Sequence, residues 1–138
     1  VLRYKPFLIK PNNHELSEIA GVKLTNDNEI VTAARMMQAK GARNVLVSMA
    51  GDGALLYTET GEVYFAPAAK GTLINSTGAG DSMVGGFLAE FTRSGSFEKA
   101  LAMGTAAGGA TAFSVGIAGF QKIVAVHESV NAGVQRVR

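Results

Sequence analysis

The sequence contains no cysteine and no tryptophan, only two histidines and three prolines, and its charged residues make up just 17%. Without cysteine there is no disulfide framework, no thiolate nucleophile and no Cys-ligated zinc or iron–sulfur site. The same absence fits a reducing compartment, so a cytoplasmic location is expected. His14 and His127 stand far apart, with no second histidine or carboxylate pattern beside either, which disfavours a histidine-rich metal site. Long Leu and Ile runs are missing too. The longest weakly charged stretch, 100–121, is dominated by Gly, Ala, Ser and Thr, and makes a poor membrane span. With 13 Lys+Arg against 11 Asp+Glu the formal charge is only +2, and beyond the Arg136–Arg138 end no basic run stands out. Neither a nucleic-acid surface nor a membrane partner is therefore expected. The opening Val1-Leu2-Arg3-Tyr4-Lys5 has no signal-peptide pattern and no initiator Met, so removal of upstream residues is expected.

What is present suits one modest folded domain: 138 residues, 47% of them hydrophobic. Seventeen glycines are dispersed rather than periodic, marking turns and close backbone approaches. Residues 6–10 form a short apolar run ended by Pro11, a plausible buried strand. Asn12 or Asn13 caps a helix carrying Leu16, Ile19 and Ala20 on one side, which stops at Gly21. A second helix is predicted over 27–40, with Ile30, Ala34 and Met37 on one face, Met36 and Met37 as core fillers, and Gly41 as its stop. A buried strand at 43–48 follows, then short strands at 54–57 and 63–65 around the turn Glu59-Thr60-Gly61, and an extended piece at 72–74. Three helical patterns close the chain. Residues 80–93 put Val84, Phe87, Leu88 and Phe91 inward; 97–113 carry the small-residue stripe Gly104, Gly108, Ala112; 122–137 offer Ile123, Val126, Val130 and Val134. This order reads as a layered α/β fold.

The segment around Gly78 carries the chemistry. A Gly78-Ala79-Gly80 turn between a strand and a helix leaves backbone N–H groups without intrahelical partners, with the positive end of the helix dipole behind them. That arrangement binds anions. Asp81, in the first helical turn, sits where a base could meet a hydroxyl attacking a bound phosphate. A bare tight turn with an acidic helix start would give the same four residues. Other glycine motifs fail. There is no G-x-x-x-x-G-K-[ST], Met83 stands where a dinucleotide fingerprint needs Gly, and Val84 stands where an esterase elbow around Ser82 needs its closing glycine. Asn12 and Glu15 could be a helix cap with Glu at its third position, and Lys10 a solvated lysine at a strand end.

The run Asn75-Ser76-Thr77-Gly78-Ala79-Gly80-Asp81-Ser82-Met83-Val84-Gly85-Gly86-Phe87-Leu88 resembles the C-terminal signature of the ribokinase-like, or PfkB, sugar kinases at every constrained position. Lys10-Pro11-Asn12-Asn13-His14-Glu15 resembles that family's N-x-x-E element, in the family's order. The wording of 5–16 looks most like the 1-phosphofructokinase and tagatose-6-phosphate kinase branch, which phosphorylates a hydroxyl of a sugar that already carries a phosphate.

The resemblance implies a three-layer ribokinase-like fold, a mostly parallel sheet flanked by helices with a short antiparallel section. It implies that Asp81 is the catalytic base and that the N–H groups of Gly78, Ala79 and Gly80 form the anion hole. It implies ATP and Mg²⁺ as cofactors, with Glu15 and Asn12 acting through the water shell of the metal and Lys10 neutralising nucleotide charge. Ser48, Gly51 and Gly53 match a nucleotide loop, and Ser114 falls in a region that borders the adenine pocket and a monovalent-cation site in some relatives. Only the C-terminal half of the family's domain is resembled, over 1–138. The acceptor pocket and stranded lid of the N-terminal half are expected to be absent, so the piece alone should be weakly active or inactive and prone to self-association. Two alternatives stay open: a same-fold kinase for another sugar or nucleoside, and a non-catalytic nucleotide- or phosphate-binding module.

Overall fold

The structure, a computed structural model, describes residues 2–69, 78–112, 119–131 and 133–137. Its centre is three strands whose residues alternate between two apolar faces: β2 (Asn44–Ser48), β3 (Ala54–Tyr57) and β4 (Val63–Ala66). Val45, Val47, Leu55, Tyr57 and Val63 meet Leu16 of α1 (Asn13–Ala20) and Ile30, Ala34 and Met37 of α2 (Asp27–Ala39). Leu46, Ala54, Leu56, Tyr64 and Ala66 face the other way. They pack on Phe87 of α3 (Ala79–Ser94), Ala100 and Leu101 of α4 (Phe97–Ala112) and Val130 of α5 (Phe120–Asn131). Strands covered on both faces read as near-continuous apolar runs, and the result is the expected three layers.

The sheet runs in the order β1-β2-β3-β4-β5, with β1 at Leu8–Ile9 and β5 at Gln135–Arg136. β1 and β2 are parallel, joined through α1 and α2, whereas the three pairings from β2 to β5 are antiparallel. The expectation of a mostly parallel sheet is thus corrected among the described residues. Loops 49–53 and 58–62 are too short for a parallel crossover, which needs about a dozen residues or more, so β2, β3 and β4 fold back as a meander. The strand expected at 72–74 lies outside the described residues. Asn44, fully buried, ties β1 and the hairpin turn to β2: its Nδ2 donates to the Phe7 carbonyl at 2.8 Å and its Oδ1 accepts from the Glu59 N–H at 2.9 Å.

Helix ends follow the capping residues. Asn12 Oδ1 accepts from the Glu15 N–H and Gly21 (φ 74°) closes α1; Asn26 Oδ1 accepts from the Glu29 N–H at the start of α2. Three residues expected inside are exposed: Ile19 by 52%, Met36 by 41% and Leu88 by 38%. Ile19 lies to one side of the stripe through Leu16, Met36 is displaced around α2 from the buried Ile30–Ala34–Met37 line, and α3 turns its Met83–Gly86–Phe87 side, not Leu88, toward α4. The last helix is shorter than expected. It ends at Asn131, Gly133 packs against Pro67, and the chain re-enters the sheet, where Phe65 and Tyr64 pair with Gln135 and Arg136. Val134 is therefore a loop residue packed on the core, not part of a helix face. Among the described residues no helix is long and apolar enough to cross a membrane.

α3 and α4 approach each other closely. A Cβ on Gly104 would come 2.8 Å from the Met83 carbonyl oxygen, and one on Gly86 would come 2.8 Å from the Ala107 Cβ. Gly104→Ala should therefore destabilise the protein by about 1–3 kcal/mol through forced separation of the helices. Gly85, with open space around it on the same helix, should gain about 0.5–1 kcal/mol as Gly85→Ala. Opposite shifts in chemical denaturation midpoint check the pair. Glu90 gives a second prediction, because hydrogen bonding from Arg93 holds its carboxyl below the ordinary carboxylate range. Its stabilising contribution is complete above the unfolded value of about 4.3 and is lost as pH falls through the lower folded value. The Arg93 side chain is 70% exposed, so the contribution is at most about 1 kcal/mol. Melting temperatures from pH 6 down should fall less steeply for Glu90→Gln than for the parent over that acid window.

Candidate functional site

Parallel β1 and β2 deliver their C-terminal ends to one edge of the molecule. There Ser48 pairs with Asn12 in a parallel bridge and donates its N–H to the Pro11 carbonyl at 3.1 Å. The crevice beyond the carboxyl ends of such strands is where open α/β sheets place ligands. Lys10 leaves β1 at this point. From the opposite layer comes the start of α3: Gly78 takes the left-handed conformation (φ 80°), and the Ser82 N–H donates to the Gly78 carbonyl at 2.9 Å. The N–H groups of Ala79, Gly80 and Asp81 thus precede the helical ladder.

The two elements meet at Gly80. A Cβ there would come 3.1 Å from the Lys10 Nζ and 3.3 Å from its Cε, so the lysine head occupies the space a side chain at Gly80 would need. An ammonium beside the positive end of a helix and its free N–H groups is an arrangement that attracts anions. Asp81, exposed, stands in the same helical turn. The structure therefore brings together Lys10, Gly78, Ala79, Gly80 and Asp81, with Asn12 and Ser48 at the adjoining strand ends.

Asn12 and Glu15 form a reciprocal cap. Asn12 Oδ1 accepts from the Glu15 N–H at 2.7 Å, and Asn12 Nδ2 donates to Glu15 Oε1 at 2.5 Å. Among the described residues no three His, Cys, Asp or Glu side chains gather as a metal cage. This donor set suits Mg²⁺ bound mainly through water and phosphate oxygens, the manner that ion prefers. Gly53 has a packing role: at φ 97°, a Cβ would come 2.2 Å from the Ala66 carbonyl oxygen, and its own carbonyl accepts from the Met49 N–H. Gly51 has open space around it. Ser114, with Asn75, Ser76 and Thr77 of the signature, lies outside the described residues.

Sequence reasoning missed two features. Ala50, in the turn after β2, has φ 48°, a left-handed conformation uncommon for a residue with a side chain. Flanking Gly51 and Gly53 marked the turn but not which residue would bend. Thr111, 1% exposed, donates its hydroxyl hydrogen bond to Ser82 Oγ at 2.9 Å. Its spacing after Gly104 and Gly108, at i+7 and i+3, was the available signal. Two surface depressions, of about 530 and 340 Å³, lie along α2, and neither includes Lys10, Asn12 or Asp81.

The described residues thus form a three-layer α/β arrangement with a lysine and a carboxylate at the start of α3. The profile of the pfkB family carbohydrate kinases matches residues 1–122, and the chain belongs to that family. It is 52% identical to a 1-phosphofructokinase of Bacillus subtilis over 80% of this chain and 36% of that protein. It is 37% identical to a D-tagatose-1-phosphate kinase of Klebsiella oxytoca over 88% of this chain and 40% of that protein. It superimposes on the structure of phosphofructokinase-2 from Escherichia coli in complex with substrates and products with a TM-score of 0.84 at 26% identity, over 94% of this chain and 43% of that one. The ribokinase-like α/β architecture is the observed one. The chain spans less than half the length of these relatives, and the matches do not confirm the expected C-terminal placement.

Gly80→Ala should leave the fold intact, since a flexible lysine tip can move aside, yet raise the dissociation constant for ATP several-fold by displacing Lys10. Gly78→Ala, forced into φ 80°, should instead cost about 1–2 kcal/mol of stability. Nucleotide titration and thermal melting of both variants separate the two effects.

Proposed function

We propose that this chain is the phosphoryl-transfer portion of an ATP-dependent kinase that phosphorylates a hydroxyl of a phosphosugar, with fructose 1-phosphate as acceptor and fructose 1,6-bisphosphate as product. The observation that carries the reading is the seating of the Lys10 ammonium against Gly80 at the start of α3, one residue from Asp81. In the reaction, Asp81 takes the proton of the attacking sugar hydroxyl. The hydroxyl oxygen bonds to the γ-phosphorus, the bond to the β–γ bridging oxygen breaks, and ADP leaves. The N–H groups of Gly78, Ala79 and Gly80 face the negative charge of the transferring group, fixed before it arrives, which is the larger electrostatic contribution to such reactions. Lys10 offsets charge on the nucleotide phosphates.

Asn12 and Glu15 would hold Mg²⁺ through its water shell; when bound, that ion neutralises phosphate charge. Ser48 and Gly51 border the nucleotide, and the backbone of Gly53 supports that loop. This segment spans less than half the length of its relatives, and it alone is expected not to transfer phosphate to a sugar. A second acceptor, D-tagatose 1-phosphate, is favoured by the similarity to the Klebsiella oxytoca kinase named for that substrate.

The test is coupled ADP release with Mg-ATP on the complete protein that carries these residues, offered fructose 1-phosphate, tagatose 1-phosphate, tagatose 6-phosphate, fructose 6-phosphate and ribose. Turnover with a sugar 1-phosphate is expected, and Asp81→Asn should lower kcat by about 10²–10⁴-fold while ATP still binds. Turnover indifferent to Asp81→Asn would sink Asp81 as the base, and turnover absent with every sugar would sink the kinase reading and leave a phosphate-binding module.

A further inference from the structure

Asp81 is exposed, so no side-chain packing of its own aims it; its direction is that of the first turn of α3. Two kinds of contact hold that turn to α4. The first is close approach: a Cβ on Gly108 would come 3.1 Å from the Ala79 carbonyl oxygen and 3.2 Å from the Met83 Cβ, and one on Gly104 would come 2.8 Å from the Met83 carbonyl oxygen. Such contacts set how near the helices lie. With Phe87 buried in the core they also turn one face of α3 inward, but they make no directional bond to the first turn itself.

The second contact is directional. Thr111, 1% exposed near the end of α4, donates through its hydroxyl to Ser82 Oγ at 2.9 Å, bridging 29 positions of sequence. Ser82 follows Asp81 directly, and its N–H closes the first turn on the Gly78 carbonyl at 2.9 Å. Thr111, Ser82 and Gly78 therefore form a connected line from the interior of α4 to the left-handed residue that opens the anion-binding turn. Adjacent helical residues are separated by about 100° around the axis, so fixing the azimuth of Ser82 fixes that of Asp81.

We infer that Thr111 is a positioning residue for phosphoryl transfer, acting through Ser82 to orient Asp81 and the N–H groups of the Gly78–Gly80 turn. The inference rests on the kinase reading above. A misplacement of about 1 Å in a reacting group can cost about 10²-fold in rate, whereas binding of the nucleotide, spread over many contacts, tolerates it.

The experiment is steady-state kinetics on the complete protein with Mg-ATP and fructose 1-phosphate. Thr111→Val keeps the shape and removes the donor; Ser82→Ala removes the acceptor. Each should lower kcat about 10–100-fold with KM for both substrates within about twofold, and the double variant should be no worse than the poorer single one, since both break one link. Thr111→Ser, which restores the hydroxyl, should recover kcat to within about threefold. Val63→Ala, buried beneath α2 on the other face of the sheet, supplies a destabilised control whose kcat should stay unchanged. Should Thr111→Val fail to fold, Ser82→Ala and Thr111→Ser carry the comparison. A kcat within twofold of the parent in Ser82→Ala or Thr111→Val, additive losses in the double variant, or losses that only track melting temperature overturn the inference. Asp81→Asn in the same series separates the two levels: if it is inactive while Thr111→Val is not, positioning alone fails; if it is active, the role of Asp81 fails and the inference with it, and a parent without turnover sinks the kinase reading itself.

Discussion

Backbone contact between α3 and α4 is the constraint on which the site depends. Glycine at positions 86, 104 and 108 lets carbonyl oxygens and Cβ atoms of one helix come where side chains of the other would stand. Gly108 lies beside Ala79, the first residue of α3, so this close packing extends to the Gly78–Gly80 turn itself. A helix start with several unpaired N–H groups and a left-handed glycine is locally weak. Seating it on a buried partner helix converts it into a rigid set of donors.

The second half of the site arrives from the other side of the fold. β1 is only two residues long, held at the sheet edge by pairing with β2 and by the buried Asn44 amide, which bonds to the Phe7 carbonyl. That pairing sets where Lys10 leaves the sheet. The lysine head then reaches the α3 start because Gly80 has no side chain there. One missing Cβ thus serves both the close approach of a cation and the exposure of backbone donors.

Much of the architecture was legible locally. Asn12 and Asn26 announce α1 and α2 by side-chain capping, Gly21 ends α1 in a left-handed turn, and β2, β3 and β4 are short apolar runs bounded by turn residues. The signature Gly78-Ala79-Gly80-Asp81 pointed to a candidate anion site from four residues and a resemblance. Helix faces were less legible: Ile19, Met36 and Leu88 fit an apolar period yet lie outside, because a period does not say how wide the covered stripe is. Strand direction was legible only through loop length, and β5 was hidden because residues 135–136 continue a helix-like pattern.

The amino-acid sequence by itself determined most of the elements, their caps and the left-handed glycine that opens α3, since capping and glycine conformation act over a few neighbouring residues. Tertiary structure alone decided that Lys10 and Gly80 share one space, that Asn12 lies beside Ser48, and that Thr111 reaches Ser82. Those meetings join positions far apart in the chain. They depend on how two helices and a sheet edge pack in three dimensions, which no local pattern of residues specifies.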